Sequence, residues 1–501
     1  MGAQDETLAF LRAALAREQG EQAEVIETHI SVVLMAGDRA WKLKRAVKLP
    51  YLDFSTPGLR LAAARTELAL NRRTAPELYL GLRRVARGPD GGLRFGDDGP
   101  LVDVVVEMRR FDQEMLFDRL ARRDALTRPM LTDLARALAR FHAGAEVARG
   151  ADGADSIGAV LDLNARALRE SGLVPQAEAD AQAARFRAAH ARLAPLLDAR
   201  ARAGKIRRCH GDLNLRNICL HDGAPTPFDC LEFDERLATI DVLYDLAFLL
   251  MDLWRHGRRA GANWVFNRYL DAADETDGLP LAPFFMAMRA AIRAHVAATQ
   301  AREHAERRAE ALVYHRLADD LLVDHPPRLV AVGGLSGSGK STLAATLAPD
   351  IGPPPGARIL ASDRLRKARA GVAAETRLPA ESYTPQASQA VYAALNDETA
   401  RVLATGYAVV ADAVFARPDE RAAVAATARR AGAAFAGLWL DVAHPVLRAR
   451  VAARRADASD ATVEVVDKQA GYDLGALDWP RLAAGADDLA ARARAALGLT
   501  S

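Results

Sequence analysis

At 501 residues the chain is longer than one ordinary core, and at about 100–200 residues per domain it should divide into two to four units. Half of the residues are hydrophobic, 26% are charged and the formal net charge is +2, a balance that excludes a disordered chain and advertises neither a nucleic-acid nor a membrane partner. The three cysteines, Cys209, Cys219 and Cys230, have no CxxC spacing, which argues against a disulfide framework or a zinc module and fits a reducing compartment.

In chain order, residues 1–20 read as an amphipathic helix without the basic stretch and apolar run of a secretion signal, so the cytoplasm is the expected location. His29 to Met35 is β-branched and apolar, Gly37-Asp38 turns, and Trp41 to Lys44 alternates, giving strands around a turn. A helix is expected from about Leu59 to Arg73, then two strands within residues 83–108 around the turn Gly88 to Gly92. From about Gln113 to Leu197 the pattern is helical. Residues 205–233 interrupt it with short apolar runs, and helices resume to about Val323. The most apolar run, Val242 to Trp254, carries Asp245 and Asp252 and predicts a buried helix, not a membrane span. Paired prolines in Asp324-His-Pro-Pro-Arg328 mark a hinge and place the domains at 1–325 and 326–501. Beyond it, the strands Leu329–Val332, Arg358–Ala361, Ala408–Ala411 and Ala434–Leu440 alternate with helices, as βαβ units of a parallel sheet do.

The segment Gly334-Leu-Ser336-Gly337-Ser338-Gly339-Lys340-Ser341-Thr342 matches GxxxxGK[ST] between a buried strand and a helix. Its glycines let backbone N–H groups surround a phosphate, and the helix start adds a positive dipole end. Lys340 is expected on the β- and γ-phosphates of ATP and the Ser341 hydroxyl on Mg²⁺. Asp363 ends the next strand, where a carboxylate can accept a substrate hydroxyl proton, and Arg366 can hold substrate or phosphate. Asp412 ends a further apolar strand and is expected to support the metal. Arg448, Arg450, Arg454 and Arg455, ahead of Asp457-Ala-Ser-Asp460, form a cluster that can close over ATP.

Residues Gly334 through Trp479, with GLSGSGKST, SDRLRK, VVADAVF and RVAARRADASDA, resemble the zeta-toxin, gluconate-kinase and polynucleotide-kinase group of P-loop kinases. That resemblance implies γ-phosphoryl transfer from ATP to a hydroxyl, with Asp363 as base.

A second constellation is Cys209-His210-Gly211-Asp212-Leu-Asn-Leu-Arg-Asn217. Asp followed five residues on by Asn is the spacing of a kinase catalytic loop. The aspartate orients the acceptor hydroxyl and takes its proton, the amide oxygen ligates Mg²⁺, and Asp229 supplies a further acid for the metal. Glu232 and Asp234 follow and either can assist.

HGDLNLRN, FDCLEFD and Asp241-Val-Leu-Tyr-Asp245 resemble the aminoglycoside and choline phosphotransferase superfamily, of protein-kinase-like fold. With ETHISVVLMAGDRAWKLKRAV, LDFSTPGLR and the P-loop fusion, nearly the whole chain resembles a bacterial family that joins an aminoglycoside-phosphotransferase-like domain to an ATPase domain. The resemblance implies that Lys42 or Lys44, two apart on one strand face, contacts the α/β-phosphates, with a slight preference for Lys44. It also implies Glu67 as their ion-pair partner and Glu107-Met108 as the adenine hinge. A Gly-rich loop of protein-kinase type is absent from Leu34 to Asp38.

The expected architecture is an α+β, protein-kinase-like bilobal domain followed by an α/β P-loop NTPase domain with a parallel sheet. The expected activity is ATP- and Mg²⁺-dependent phosphoryl transfer to small hydroxylated acceptors at two sites, with no membrane and no nucleic acid involved. Two other readings use the same residues: a P-loop half that phosphorylates polynucleotide 5′ ends, and one module that binds ATP only to regulate the other.

Overall fold

Alternation of apolar and polar residues near the N-terminus builds an antiparallel sheet from β1 (Glu24–Glu27), β2 (Ser31–Ala36), β3 (Arg39–Lys44), β4 (Tyr79–Arg87), β5 (Leu93–Phe95) and β6 (Leu101–Arg109). Their spatial order is β1-β2-β3-β6-β4-β5. The computed structural model describes residues 4–49, 52–301, 304–454, 458–483 and 488–499. Successive side chains leave a strand on opposite faces, so Trp41 and Leu43 of β3 enter a core with Leu11, Leu15, Leu34 and Val105, and Lys42 and Lys44 share the other face. Helix Pro57–Asn71 supplies that face with Glu67. It starts where the Thr56 side chain accepts the Leu59 N–H and a proline occupies the first turn. Three strands occupy the region where the sequence predicts two, because β5 is too short to display a period.

The chain packs as two compact units, Met1–Gly153 with Leu197–His256, and Ala154–Leu196 with Gly257–Ser501. In the first unit, strand Ile206–Arg208 pairs with Thr239–Asp241, and the hairpin Ile218–His221/Ala224–Pro227 follows the loop at Asp212. Helix Val242–Arg255 is buried along nearly its whole length, as its apolar run predicts. Among the described residues no helix is long and apolar enough to cross a membrane.

The second unit holds a wholly parallel sheet of β7 (Arg328–Gly334), β8 (Arg358–Ala361), β9 (Val409–Asp412), β10 (Ala434–Asp441) and β11 (Arg481–Ala483). The order is β8-β9-β7-β10-β11. Val330, Val332, Val410 and Leu438 pack with Leu343 and Leu347 of helix Lys340–Leu347 to form its core. This arrangement sets the carboxyl ends of β7, β8 and β9 side by side, where ligands bind in open α/β sheets.

Candidate active site

The loop at Asp212 is held from below by an acid inside an apolar helix. Asp245, fully buried, accepts the His210 N–H at 3.0 Å on Oδ2 and the Gly211 N–H at 2.8 Å on Oδ1, and His142 Nε2 lies 3.1 Å from Oδ2. About two helical turns later, Asp252 Oδ2 accepts the Leu215 N–H at 3.0 Å. The loop bends at Gly211, where φ is +85° and a Cβ would stand 2.6 Å from that of Ala238. The sequence motif contains Asp245 but does not reveal this role. An aspartate in so apolar a run is the signal that a backbone segment requires an acceptor there.

Asn217 Nδ2 donates to Asp212 Oδ2 at 2.8 Å and to the Asp212 carbonyl at 2.9 Å. The Phe228 N–H donates to the Asn217 carbonyl at 2.9 Å, which brings the neighbouring Asp229 to the same place. Asp229 has φ +62°, a conformation that costs a non-glycine residue of order 1–3 kcal/mol and concentrates at functional sites. Its N–H donates to the Tyr79 hydroxyl at 3.3 Å.

Across from this loop, the two lysines of β3 share one carboxylate. Lys42 Nζ is 2.8 Å from Glu67 Oε1 and 2.6 Å from Asp229 Oδ1. Lys44 Nζ donates to Glu67 Oε2 at 2.8 Å and to Glu232 Oε1 at 2.7 Å. The side chains of Lys44 and Glu67 are 1% and 0% exposed, those of Lys42 and Asp229 14% and 40%. Burial alone would raise the Glu67 carboxyl, but Lys42 and Lys44 hold it down at about 2. Glu232 moves the other way: burial and then the Glu67 charge raise it, in spite of Lys44. Lys44 is thus a buried counterion enclosed by acids, and Lys42 stands at the open side beside Asp229.

Glu107 and Met108 lie inside β6, paired on one side with Trp41 and Ala40 and on the other with Gly81 and Tyr79. The Glu107 carboxylate accepts from Trp41 Nε1 at 3.4 Å. The ladder therefore continues past both residues. In the β2–β3 turn, the Gly37 N–H donates to the Glu21 carboxylate and the Asp38 N–H to Gln19 Oε1 at 3.2 Å, so its amides are already engaged.

In the second unit the cradle follows β7. Gly334, Gly337 and Gly339 have φ of +141°, +86° and +95°, and a Cβ at Gly334 would meet Ser338 Oγ at 2.8 Å and the Leu440 carbonyl at 2.9 Å. Lys340 Nζ folds back to the Leu335 carbonyl at 3.1 Å. Gln469, which nothing in the motif announces, accepts the Ser336 N–H at 2.8 Å. Ser341 and Thr342 are exposed in the first turn of helix Lys340–Leu347. Asp412 ends β9 opposite Val332 of β7 and is 4% exposed.

Asp363 sits in the first turn of helix Ser362–Arg369. Arg366 lies 4.7 Å over the Tyr383 ring and donates to the Ser382 carbonyl at 2.5 Å. Asp460 is tied to the same region: it accepts from Lys367, from the Tyr383 hydroxyl and, at 2.9 Å, from the Leu378 N–H. Of the arginines expected to close over ATP, Arg450 reaches the Gly337 and Ser338 carbonyls at 3.5 Å each. Arg448 instead pairs with Asp467. Arg454 ends the described stretch, and Arg455 and Asp457 lie outside the described residues.

Both places offer the oxygen donors a hard dication needs: the Asp229 carboxylate, two-fifths exposed, with the Asn217 amide oxygen in one, and the exposed Ser341 hydroxyl with the Asp412 carboxylate in the other. Oxygen-only sets of this kind fit Mg²⁺. The buried Ser338 hydroxyl, without a protein partner among the described residues, leaves one further polar group inside the cradle.

An Asp–Asn loop facing a lysine–glutamate pair, and a glycine cradle leading from a parallel sheet into a helix, define two modules of kinase type. The family described as "Phosphotransferase enzyme family" matches residues 96–284, and that described as "AAA domain" matches residues 329–472. Over 472 residues the chain is 31% identical to "Uncharacterized protein Rv2004c" of Mycobacterium tuberculosis (strain ATCC 25618 / H37Rv), covering 90% of this chain and 91% of that protein. The chain belongs to the family of that protein; in this chain a phosphotransferase domain precedes a P-loop kinase domain, and it is an enzyme of the phosphotransferase class. Among solved structures, it is similar to a choline/ethanolamine kinase family protein from Mesorhizobium loti, at 16% identity over 63% of this chain and 94% of that one, TM-score 0.40. It is also similar to a sugar kinase from Janibacter sp. HTCC2649, at 20% identity over 35% of this chain and 96% of that one, TM-score 0.28.

Proposed function

We propose that the protein is a two-site kinase, each site transferring the γ-phosphoryl group of ATP to a hydroxyl of a small acceptor such as a sugar, an amino sugar or an amino alcohol. The observation that carries the first site is Lys42, whose ammonium touches both Glu67 and Asp229. A lysine that bridges the ion-pair glutamate and the metal acid is where the phosphates of a kinase must lie. On this reading Lys42 contacts the α/β-phosphates, and Lys44 is the more deeply buried of the two charges that keep Glu67 ionised. Asp212 takes the acceptor proton as the new O–P bond forms and the bond from the γ-phosphorus to the bridging oxygen breaks, leaving ADP. Asn217 fixes the Asp212 carboxylate through the 2.8 Å hydrogen bond.

In the second site Lys340 and the loop amides hold the triphosphate, Asp363 takes the acceptor proton, and Arg366 and Arg450 stand on the transferring charge. Asn217 and Asp229 in one site, and Ser341 and Asp412 in the other, would hold Mg²⁺, which would supply neutralisation of charge on the phosphate oxygens.

A screen for ATP consumption by the full chain against sugars, amino sugars, amino alcohols and nucleosides tests the proposal. Asp212→Asn should remove one acceptor class and Lys340→Ala the other. A single substitution that removes all turnover would contradict two independent chemistries.

A further inference from the structure

Helix Arg259–Ala272 lies within residues 96–284, the phosphotransferase match, yet it packs in the second unit with the P-loop sheet. Trp264 packs against the core of that sheet, and further along the helix its side chains take the place of a sixth strand. β8 is an edge of the sheet, and a bare edge presents unpaired N–H and C=O groups. The fully buried Asn267 answers both: its Nδ2 donates to the Ala357 carbonyl at 3.1 Å and its Oδ1 accepts the Ile359 N–H at 2.7 Å. Asn263, 1% exposed, donates to the same Ala357 carbonyl at 3.0 Å.

One turn beyond Asn267, Asp271 gathers arginines. Arg358 lies 2.7 Å from Oδ1, Arg364 Nε donates to Oδ2 at 2.8 Å, and Arg268 is 3.2 Å from Oδ2. Burial would raise this carboxyl, but Arg358, Arg268 and Arg364 bring it down to about 2. Arg358 opens β8 and Arg364 lies in the first turn of helix Ser362–Arg369, next to Asp363. One carboxylate therefore ties both ends of the strand that delivers Asp363.

We propose that Asp271 and Asn267 are positioning residues for the P-loop acceptor site, holding β8 and the following turn so that Asp363 stands at the acceptor hydroxyl. The inference rests on the reading of Asp363 as the base. A helix of the phosphotransferase region is then a working wall of the second site, and a P-loop half cut at residue 326 lacks it. The full chain is accordingly the material for the test.

Amide hydrogen exchange is followed in the full chain carrying Asp229→Ala, which leaves the P-loop site as the nucleotide binder, with and without Asp271→Asn. Exchange over residues 359–366 should rise about tenfold with Asp271→Asn while exchange over residues 329–347 stays constant. The MgATP Kd should stay within about twofold, and Asp271→Glu should restore most of the protection. Unchanged exchange at residues 359–366, or an equal rise across the whole sheet, overturns the proposal, the second because it marks a merely structural role. Asp363→Asn in the Asp212→Asn chain judges the base separately. Loss of Lys340-dependent ATP turnover supports that reading; retained turnover ends it, whatever the exchange shows.

Discussion

Lys42 and Lys44 grip opposite oxygens of one carboxylate, each 2.8 Å from Glu67, but only Lys42 also reaches Asp229. The two lysines should therefore fail differently. Lys44→Met strands Glu232 in the interior and takes one of two cations from Glu67, and it should cost about 3–5 kcal/mol, as breaking a buried ion pair does. Lys42→Met should cost less, about 1–3 kcal/mol, because it leaves Glu67 Oε1 without its partner while Lys44 stays on the other oxygen and Asp229 is two-fifths exposed. It should weaken MgATP binding at the first site about 10- to 100-fold, the loss of one charge-assisted contact. Urea unfolding and calorimetry in a Lys340→Ala chain measure both.

The same cluster sets an acid limit. Glu67 lies well below its ordinary 4.5, at about 2, so the folded state binds fewer protons there than the unfolded chain. The stabilisation is complete above about 4.5 and is lost as pH falls through about 2, amounting to about 3 kcal/mol at most. Urea unfolding from pH 6 to pH 3 should show a decline that Glu67→Gln flattens. Equal slopes in the two proteins would contradict the charge arrangement.

Asp245 should matter more than its distance from any substrate would imply. Asp245→Ala leaves the His210 and Gly211 N–H groups and His142 without their acceptor and should cost about 2–5 kcal/mol. Asp245→Asn, which retains one acceptor oxygen, should fold but lose turnover at the first site with little change in the KM for ATP. Comparing kcat with KM in that variant separates loop positioning from nucleotide binding.

Gly337→Ala probes the second cradle. Its Cβ would stand 2.9 Å from the Leu447 carbonyl at a φ of +86°, a left-handed conformation that costs about 1–2 kcal/mol for a residue with a side chain. Nucleotide binding at the P-loop should be lost while the first site keeps its affinity, a difference calorimetry reads directly.

Much of this geometry was legible in the sequence because short-range rules govern it. Strand alternation puts Lys42 and Lys44 on one face, and the spacing of Asp212 and Asn217 fits one turn of loop. The same alternation cannot separate the lysines, since they share that face. What distinguishes them is Glu232, brought over Lys44 by a tertiary contact. β5 and β11, three residues each, are shorter than any period. The covering of β8 by Asn267 was invisible for a different reason: a helix that faces a sheet edge has the same apolar pattern as one that faces its own bundle. The glutamine at 469 and the tyrosine at 383 likewise act through distant backbone and ring contacts that no local motif encodes.

Two nucleotide sites in one chain are counted most directly by titrating the full-length protein with a nonhydrolysable MgATP analogue in a calorimeter. Two equivalents should bind, and one should remain in each of the Asp229→Ala and Lys340→Ala chains. A single equivalent in the unaltered protein, or either substitution abolishing both, would contradict the two-site account.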